Sequence, residues 1–212
     1  MLYPVMLNIA GKKAVVVGGG SVAVRKARSL IEAGALVEVI SPEIAEAMEE
    51  LLDVHEIKWR KKEFAPADLT DAFIVIAATN SQETNEFIQR SASSYQLVNR
   101  VDDPKESSFI VPASFKKDKL CVAVSTHGAS PALSKRIIQE LKEQFDASYI
   151  SYVTFLDECR AAVKRLCPDS SGRKMMLKRL ASSAFEEKAK AASPAERDQL
   201  LTEIVRDWRE MQ

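Results

Sequence analysis

Along the chain the hydrophobic and polar positions change period several times, and each change marks an element. Residues 14–17 are an unbroken, valine-rich apolar run, the pattern of a strand buried on both faces of a parallel sheet, and Gly18 ends it. From Val22 the spacing becomes helical, with Ala23, Ala27, Leu30 and Ile31 on one face and Arg25, Lys26, Arg28 and Glu32 elsewhere. Gly34 is placed to cap that helix. Residues 36–40 predict a second strand, so strand, glycine turn, helix and strand follow one another as a βαβ unit.

The alternation continues. The pattern predicts a helix over 43–52, a weak strand over 57–59, a strong strand over 72–80 and a helix over 81–94 with Phe87, Ile88 and Ala92 inward. Leu97 and Val98 begin a further short strand. Two strand candidates, SSFIVPASF and LCVAVST, are separated by the turn-like KKDK and predict a local antiparallel pair. Ser130 and Pro131 occupy the N-cap and first position of a helix expected to run to about Phe145.

Beyond Phe145 the pattern is helical throughout. Tyr152, Phe155, Leu156, Cys159, Val163 and Leu166 share a face, Pro168 with Gly172 breaks the chain, and Ser193, Pro194 and Glu196 form a capping box. The last helix carries Leu200, Leu201, Ile204 and Trp208. The expected fold class is therefore α/β: a Rossmann-like parallel-sheet domain over 1–112, a small α+β unit over 113–145 and an all-helical carboxyl-terminal domain over 146–212.

Charge and composition narrow the function classes. Lysine plus arginine and aspartate plus glutamate are both 30 in a chain of 212 residues, so no global field points to nucleic acid or to an acidic membrane. The three cysteines, Cys121, Cys159 and Cys167, fit neither a disulfide framework nor a zinc ribbon and are expected to be reduced thiols. The amino terminus has no signal-peptide pattern, and no apolar run reaches the length of a membrane span. A cytoplasmic protein is expected.

The candidate chemistry begins at Gly18-x-Gly20-x-x-Ala23, which matches the dinucleotide fingerprint directly after a strand and at the opening of a helix. The first glycine permits the turn, the second lets a pyrophosphate approach the backbone, and the small third residue allows close packing of helix and sheet. Free N–H groups and the helix dipole attract the phosphates. Where an acidic residue is expected at the end of the second strand, Ser41 and Pro42 stand, followed by Glu43. No arginine lies nearby to receive a 2′-phosphate, which favours NAD over NADP. NRVDDP, at 99–104, follows the last sheet strand, where ligand-facing loops are found; Asp102 or Asp103 there could accept a proton, or the Asp-Asp-Pro sequence could simply form a turn.

The segments GGGSVAVRKARSLIEAGALVEVISPE, IAATN, NRVDDPKESSFIVPA and VAVSTHGASPALSKRI occur in the order and spacing of precorrin-2 dehydrogenases, including the amino-terminal part of siroheme synthase. The chain resembles that family over about its first 145 residues. The resemblance implies an intertwined homodimer that uses NAD to oxidise precorrin-2 to sirohydrochlorin. It places the family's essential aspartate at Asp102, its cofactor turn at Ser21 and Val22, and the end of its second strand at Pro42 and Glu43. Thr79 and Asn80 would line the cofactor cleft beside Gly18 and Gly20. Arg100 stands at a position often apolar in the family. A chain ending at Gln212 is expected to lack the methyltransferase domain fused in some siroheme synthases.

The implied reaction removes two electrons and two protons, so NAD takes a hydride and one base takes a proton. No nucleophile or redox metal is required. The eight carboxylates of the substrate call for local positive charge; between Arg160 and Arg179 seven basic residues stand against Asp169 alone, a segment that could serve this purpose or could simply be a solvated helical surface. Ser125, Thr126 and His127 suggest a triad, but no nucleophile elbow surrounds either hydroxyl and STHG leads into an N-cap as an ordinary loop would. His127 has no companion ligands for a metal. Two alternatives accompany the dehydrogenase reading: a bifunctional enzyme that also inserts ferrous iron, and a dimeric NAD-sensing regulatory domain. The latter would have no use for NRVDDP or for the loop before Ser130.

Overall fold

The computed structural model describes residues 2–55 and 57–210, with backbone alone for residues 194 and 207–210. The expected place of Trp208 on the last helix therefore falls on a side chain outside the described residues. The chain forms two compact units, Met1–Val111 and Pro112–Gln212.

In the first unit, strands β1 (Lys13–Val17), β2 (Leu36–Ile40), β3 (Lys58–Arg60), β4 (Ile74–Ala77) and β5 (Leu97–Arg100) form one sheet in the order β3-β2-β1-β4-β5. Every pairing is parallel. Helices α1 (Ser21–Glu32), α2 (Glu46–Val54) and α3 (Gln82–Ser91) connect the strands, with a short 3₁₀ turn at Pro66–Leu69. Alternation along β1 explains why both faces are covered. Ala14 and Val16 pack with Ala23, Ala27 and Leu30 of α1 and Met48 of α2, whereas Val15 and Val17 pack with Ile88 of α3 and Leu69 of the 3₁₀ turn. Glu38 of β2 is buried on the second face, where Lys13 and Arg60 neutralise it. The fold is thus a Rossmann-like parallel sheet.

Differences from the periodic reading have local causes. The second helix starts at Glu46 rather than Glu43 because Ser41 Oγ donates to Glu43 O at 2.6 Å and Ala45 N–H donates to Gly19 O at 2.9 Å, which holds 41–45 in a non-helical turn. Phe87 is 48% exposed, edge-on to Phe64, while Asn85 is the residue that turns inward with Ile88. The strand expected from Ser107 starts instead at Ala113. Ser107 and Ser108 lie alongside β5, their hydroxyls accepting from Arg100 N–H at 2.9 Å and Val98 N–H at 2.6 Å.

In the second unit, β6 (Ala113–Lys117) and β7 (Leu120–Val124) form an antiparallel hairpin whose tight turn places Asp118 at φ 47°. Helix α4 (Pro131–Gln144) packs on both strands, capped by the Ser130 hydroxyl accepting from Leu133 N–H. Helices α5 (Ala147–Leu166), α6 (Ser170–Leu180), α7 (Ser183–Ala191) and α8 (Pro194–Glu210) enclose a core of Tyr152, Phe155, Cys159, Val163, Met176, Leu180, Phe185 and Ile204. Gly172 does not break the chain. It sits within the first turn of α6, where its N–H donates to the capping carboxylate of Asp169. Burial pushes the Cys159 thiol up to about 12, the behaviour of an inert core side chain.

Candidate functional site

Strands β2 and β3 lie on one side of β1 and β4 and β5 on the other, so the carboxyl ends of β1 and β4 border the crevice where the strand order reverses. A cleft of about 670 Å³ opens there, lined by the glycine loop, the tip of β2, the segment after β3 and the residues after β4.

The three glycines of the loop do different work. Gly18 adopts φ 121°, and a Cβ on it would meet Ala78 O at 2.3 Å. Only glycine fits that close approach of the β1 and β4 ends. A Cβ on Gly19 would meet Glu43 O at 2.1 Å, because Gly19 is pressed against the turn after β2. Gly20, by contrast, faces open space, and no side chain caps helix α1 above it. Its neighbouring N–H groups belong to a helix start that no side chain caps, next to a cleft that Gly20 itself lines. Ala23 is fully buried between α1 and the sheet, the role expected of the small third residue. This cradle fits a dinucleotide.

Gly18, Gly20, Pro42, Glu43, Thr79 and Asn80 all line the cleft. Ser21 and Val22 begin α1 and do not line it. Lys62 and Phe64, which follow β3, do line it, and the sequence drew no attention to them. Among the described residues, no group of three or more His, Cys, Asp or Glu side chains is placed to hold a metal ion, and no helix is long and apolar enough to cross a membrane.

Asp102 follows β5 and is joined to the cleft through Asn85. This fully buried amide accepts from Thr79 N–H at 3.1 Å and from Thr79 Oγ1 at 2.8 Å, and its Nδ2 donates to Thr79 O at 3.3 Å and to Asp102 Oδ1 at 3.0 Å. The other face of the carboxylate belongs to Arg100, whose Nη2 donates to Oδ2 at 2.8 Å and whose Nε lies 3.4 Å from Oδ1. Arg100 is buried and its far edge donates to Gln89 Oε1 at 3.1 Å. The Arg100 hydrogen bond, against the opposing effect of burial, holds the Asp102 carboxyl below the usual range. Asp102 is therefore ionised at neutral pH, with its side chain 26% exposed. Asp103 instead accepts from Lys105 N–H at 3.0 Å, a turn-forming bond.

Asn85 had one sequence signal that periodicity passes over. Asparagine is a poor residue for a helix interior, so one at an inward position has reason to be there for its amide.

Residues 5–113 match the family described as "Putative NAD(P)-binding". The precorrin-2 dehydrogenase of Priestia megaterium is 34% identical over 83% of this chain and 87% of its own length. That of Bacillus subtilis is 33% identical over 75% of this chain and 98% of its own length. Siroheme synthase 3 of Aeromonas hydrophila is 35% identical over 84% of this chain, which spans 38% of that longer protein. Among solved structures, SirC, a precorrin-2 dehydrogenase, superposes with a TM-score of 0.80 at 31% identity, covering 96% of this chain and 98% of its own. With the glycine cradle and an ionised aspartate tied to its rim, these likenesses show that the chain belongs to the precorrin-2 dehydrogenase family of NAD(P)-binding oxidoreductases.

Proposed function

We propose that the protein oxidises precorrin-2 to sirohydrochlorin, with NAD bound in the cleft above Gly20 and Asp102 receiving the proton. The observation that carries this reading is the Thr79–Asn85–Asp102 chain of hydrogen bonds, which ties a cleft-lining residue to an ionised carboxylate. Bound there, NAD supplies the acceptor for a hydride. The residues of the chain do the rest. The Gly18 turn brings the backbone close, the N–H groups at the start of α1 hold the phosphates, and Thr79 and Asn80 border the space beyond them.

Two electrons and two protons leave the substrate, and the hydride carries one proton with both electrons. A single acceptor is then sufficient. Asp102 carries no proton of its own at neutral pH, and the bonds from Arg100 and Asn85 fix where its oxygens point. Those bonds lower its basicity in exchange for a fixed position.

The same reading makes the protein a homodimer organised as 1–112, 113–145 and 146–212. The homodimer rests on the family resemblance, with β6, β7 and α4 as the unit proposed to meet a second copy. Arg160, Lys164, Arg165 and Lys174 are exposed on α5 and α6 and supply positive charge suited to a polycarboxylate. Purified protein incubated with precorrin-2 and NAD is expected to form NADH and the sirohydrochlorin chromophore in equal amounts. Absence of both products from a folded protein that binds NAD would overturn the reading.

A further inference from the structure

Asp68 is a buried carboxylate that the proposed reaction does not use. It lies in the 3₁₀ turn, and its side chain is 2% exposed. Oδ2 accepts from Ala65 N–H at 2.9 Å, and Oδ1 lies 2.9 Å from Lys62 Nζ and 3.4 Å from Arg60 Nη1. Arg60 reaches in the other direction to Glu38, which also pairs with Lys13 at 3.1 Å. Two buried carboxylates, Glu38 and Asp68, are thus shared by three cations, Lys13, Arg60 and Lys62. Burial pushes the Asp68 carboxyl up, but the bonds from Lys62 and Ala65 and the charges of Lys62 and Arg60 outweigh it and bring it below its ordinary value.

The position of these cations is what gives them a consequence. Arg60 pairs in register with Ile40, the last residue of β2, so Lys62 lies past the carboxyl edge of the sheet beside the β2 tip. It lines the same cleft as Pro42, Glu43 and Glu63. In dinucleotide folds the ribose next to adenine sits at the end of the second strand, where an acidic side chain selects NAD and a free cation welcomes a 2′-phosphate. Here a cation is present but already matched by a carboxylate.

We infer that Asp68 determines cofactor selectivity by holding Lys62, a cation that lines the cleft, in an ion pair at its rim, so that a 2′-phosphate meets Glu43 and Glu63 while Lys62 is engaged elsewhere. The inference rests on the proposed placement of the dinucleotide in this cleft. It differs from simple repulsion by Glu43, because it makes the latent cation the element that selects. Removing the charge of Asp68 while keeping its shape releases Lys62 to the phosphate.

The test is calorimetric affinity for NAD and for NADP in the full chain, without substrate, for four proteins. The native protein is expected to prefer NAD. Asp68→Asn is expected to raise the NADP to NAD affinity ratio by about ten-fold, the low end of the value of a charged hydrogen bond. Adding Lys62→Met to that variant is expected to return the ratio to the native value. Lys62→Met alone is expected not to raise the ratio, since it leaves Asp68 charged and removes the cation that a 2′-phosphate could use. If Asp68→Asn melts near room temperature, Asp68→Ser, whose hydroxyl can still accept from Ala65 N–H, takes its place with the same expected rise.

An unchanged ratio in folded Asp68→Asn overturns the inference and leaves the cofactor cleft intact. So does a raised ratio that persists when Lys62→Met is added to Asp68→Asn, which would mean that another cation serves the phosphate. A native protein that binds neither cofactor overturns the cleft assignment itself, and the inference with it.

Discussion

Asn85 of α3 donates from Nδ2 to Asp102 Oδ1 at 3.0 Å, across seventeen residues of sequence, while its Oδ1 accepts the N–H and hydroxyl of Thr79. One buried amide therefore fixes both the loop after β4 and the carboxylate after β5. Asn85→Ala leaves the Thr79 N–H and one lone pair of Asp102 without their partner. A loss of about 1–3 kcal/mol of stability is expected, the cost of orphaned polar groups away from water. NAD affinity should fall together with the rate, because Thr79 lines the cleft. Thermal melts beside NAD calorimetry check this; native affinity in the alanine variant would separate Asn85 from the site.

Asp102→Asn keeps the shape of the carboxylate but cannot accept a proton. Single-turnover NADH formation is expected to drop by about 10²–10⁴-fold while NAD still binds, the usual range for a lost general base. Asp103→Asn is expected to cost much less, since Asp103 serves the turn through Lys105 N–H. If the Asp103 variant proves to be the inactive one, the proton acceptor has been misassigned.

The Arg100 pairing gives the reaction a pH dependence of definite sign. Asp102 is held below its ordinary value chiefly by the Arg100 hydrogen bond, so its active, ionised form persists as pH falls through the normal carboxylate range and is lost only below it. Its contribution to stability behaves likewise: it is fully present above the unfolded-state value and disappears as pH falls through the lower folded one. Arg100→Met removes the guanidinium and fills the buried space. The acid limb of kcat/KM is expected to move to higher pH, and the acid unfolding midpoint with it. An unmoved acid limb would show that another group controls it.

The glycine loop separates folding from binding by position. Gly20→Asp projects into open space, so the fold should survive while the carboxylate occupies and repels the pyrophosphate. NAD binding is expected to vanish from a protein with a near-native melt. Gly18→Ala meets Ala78 O and demands a left-handed backbone, so it should cost roughly 1–3 kcal/mol in stability. Equal melting temperatures for the two variants would contradict this division.

Periodicity and turn chemistry were enough to specify the βαβ start, because strands buried on both faces and amphipathic helices leave different repeats in a sequence. The run 36–40, the Ser130–Pro131 helix start and the Ser193–Glu196 capping box all stand where the pattern places them. Part of the cleft rim was legible too: the glycine fingerprint marked Gly18 and Gly20, the tip of the second strand marked Pro42 and Glu43, and the family resemblance added Thr79 and Asn80. Side-chain pairing was not legible in the same way. Nothing in the order of residues says that Asn85 reaches Asp102, that Arg100 turns inward to hold it, or that Lys62 is matched by Asp68. Phe87, expected inward, is exposed, whereas Asn85 is buried with its amide bonds made by Thr79 and Asp102, and only the assembled neighbours supply those bonds. The hydrophobic pattern is a local property of the chain and determined the layers; the polar contacts that tune the site act across many residues, and the tertiary structure alone decided them.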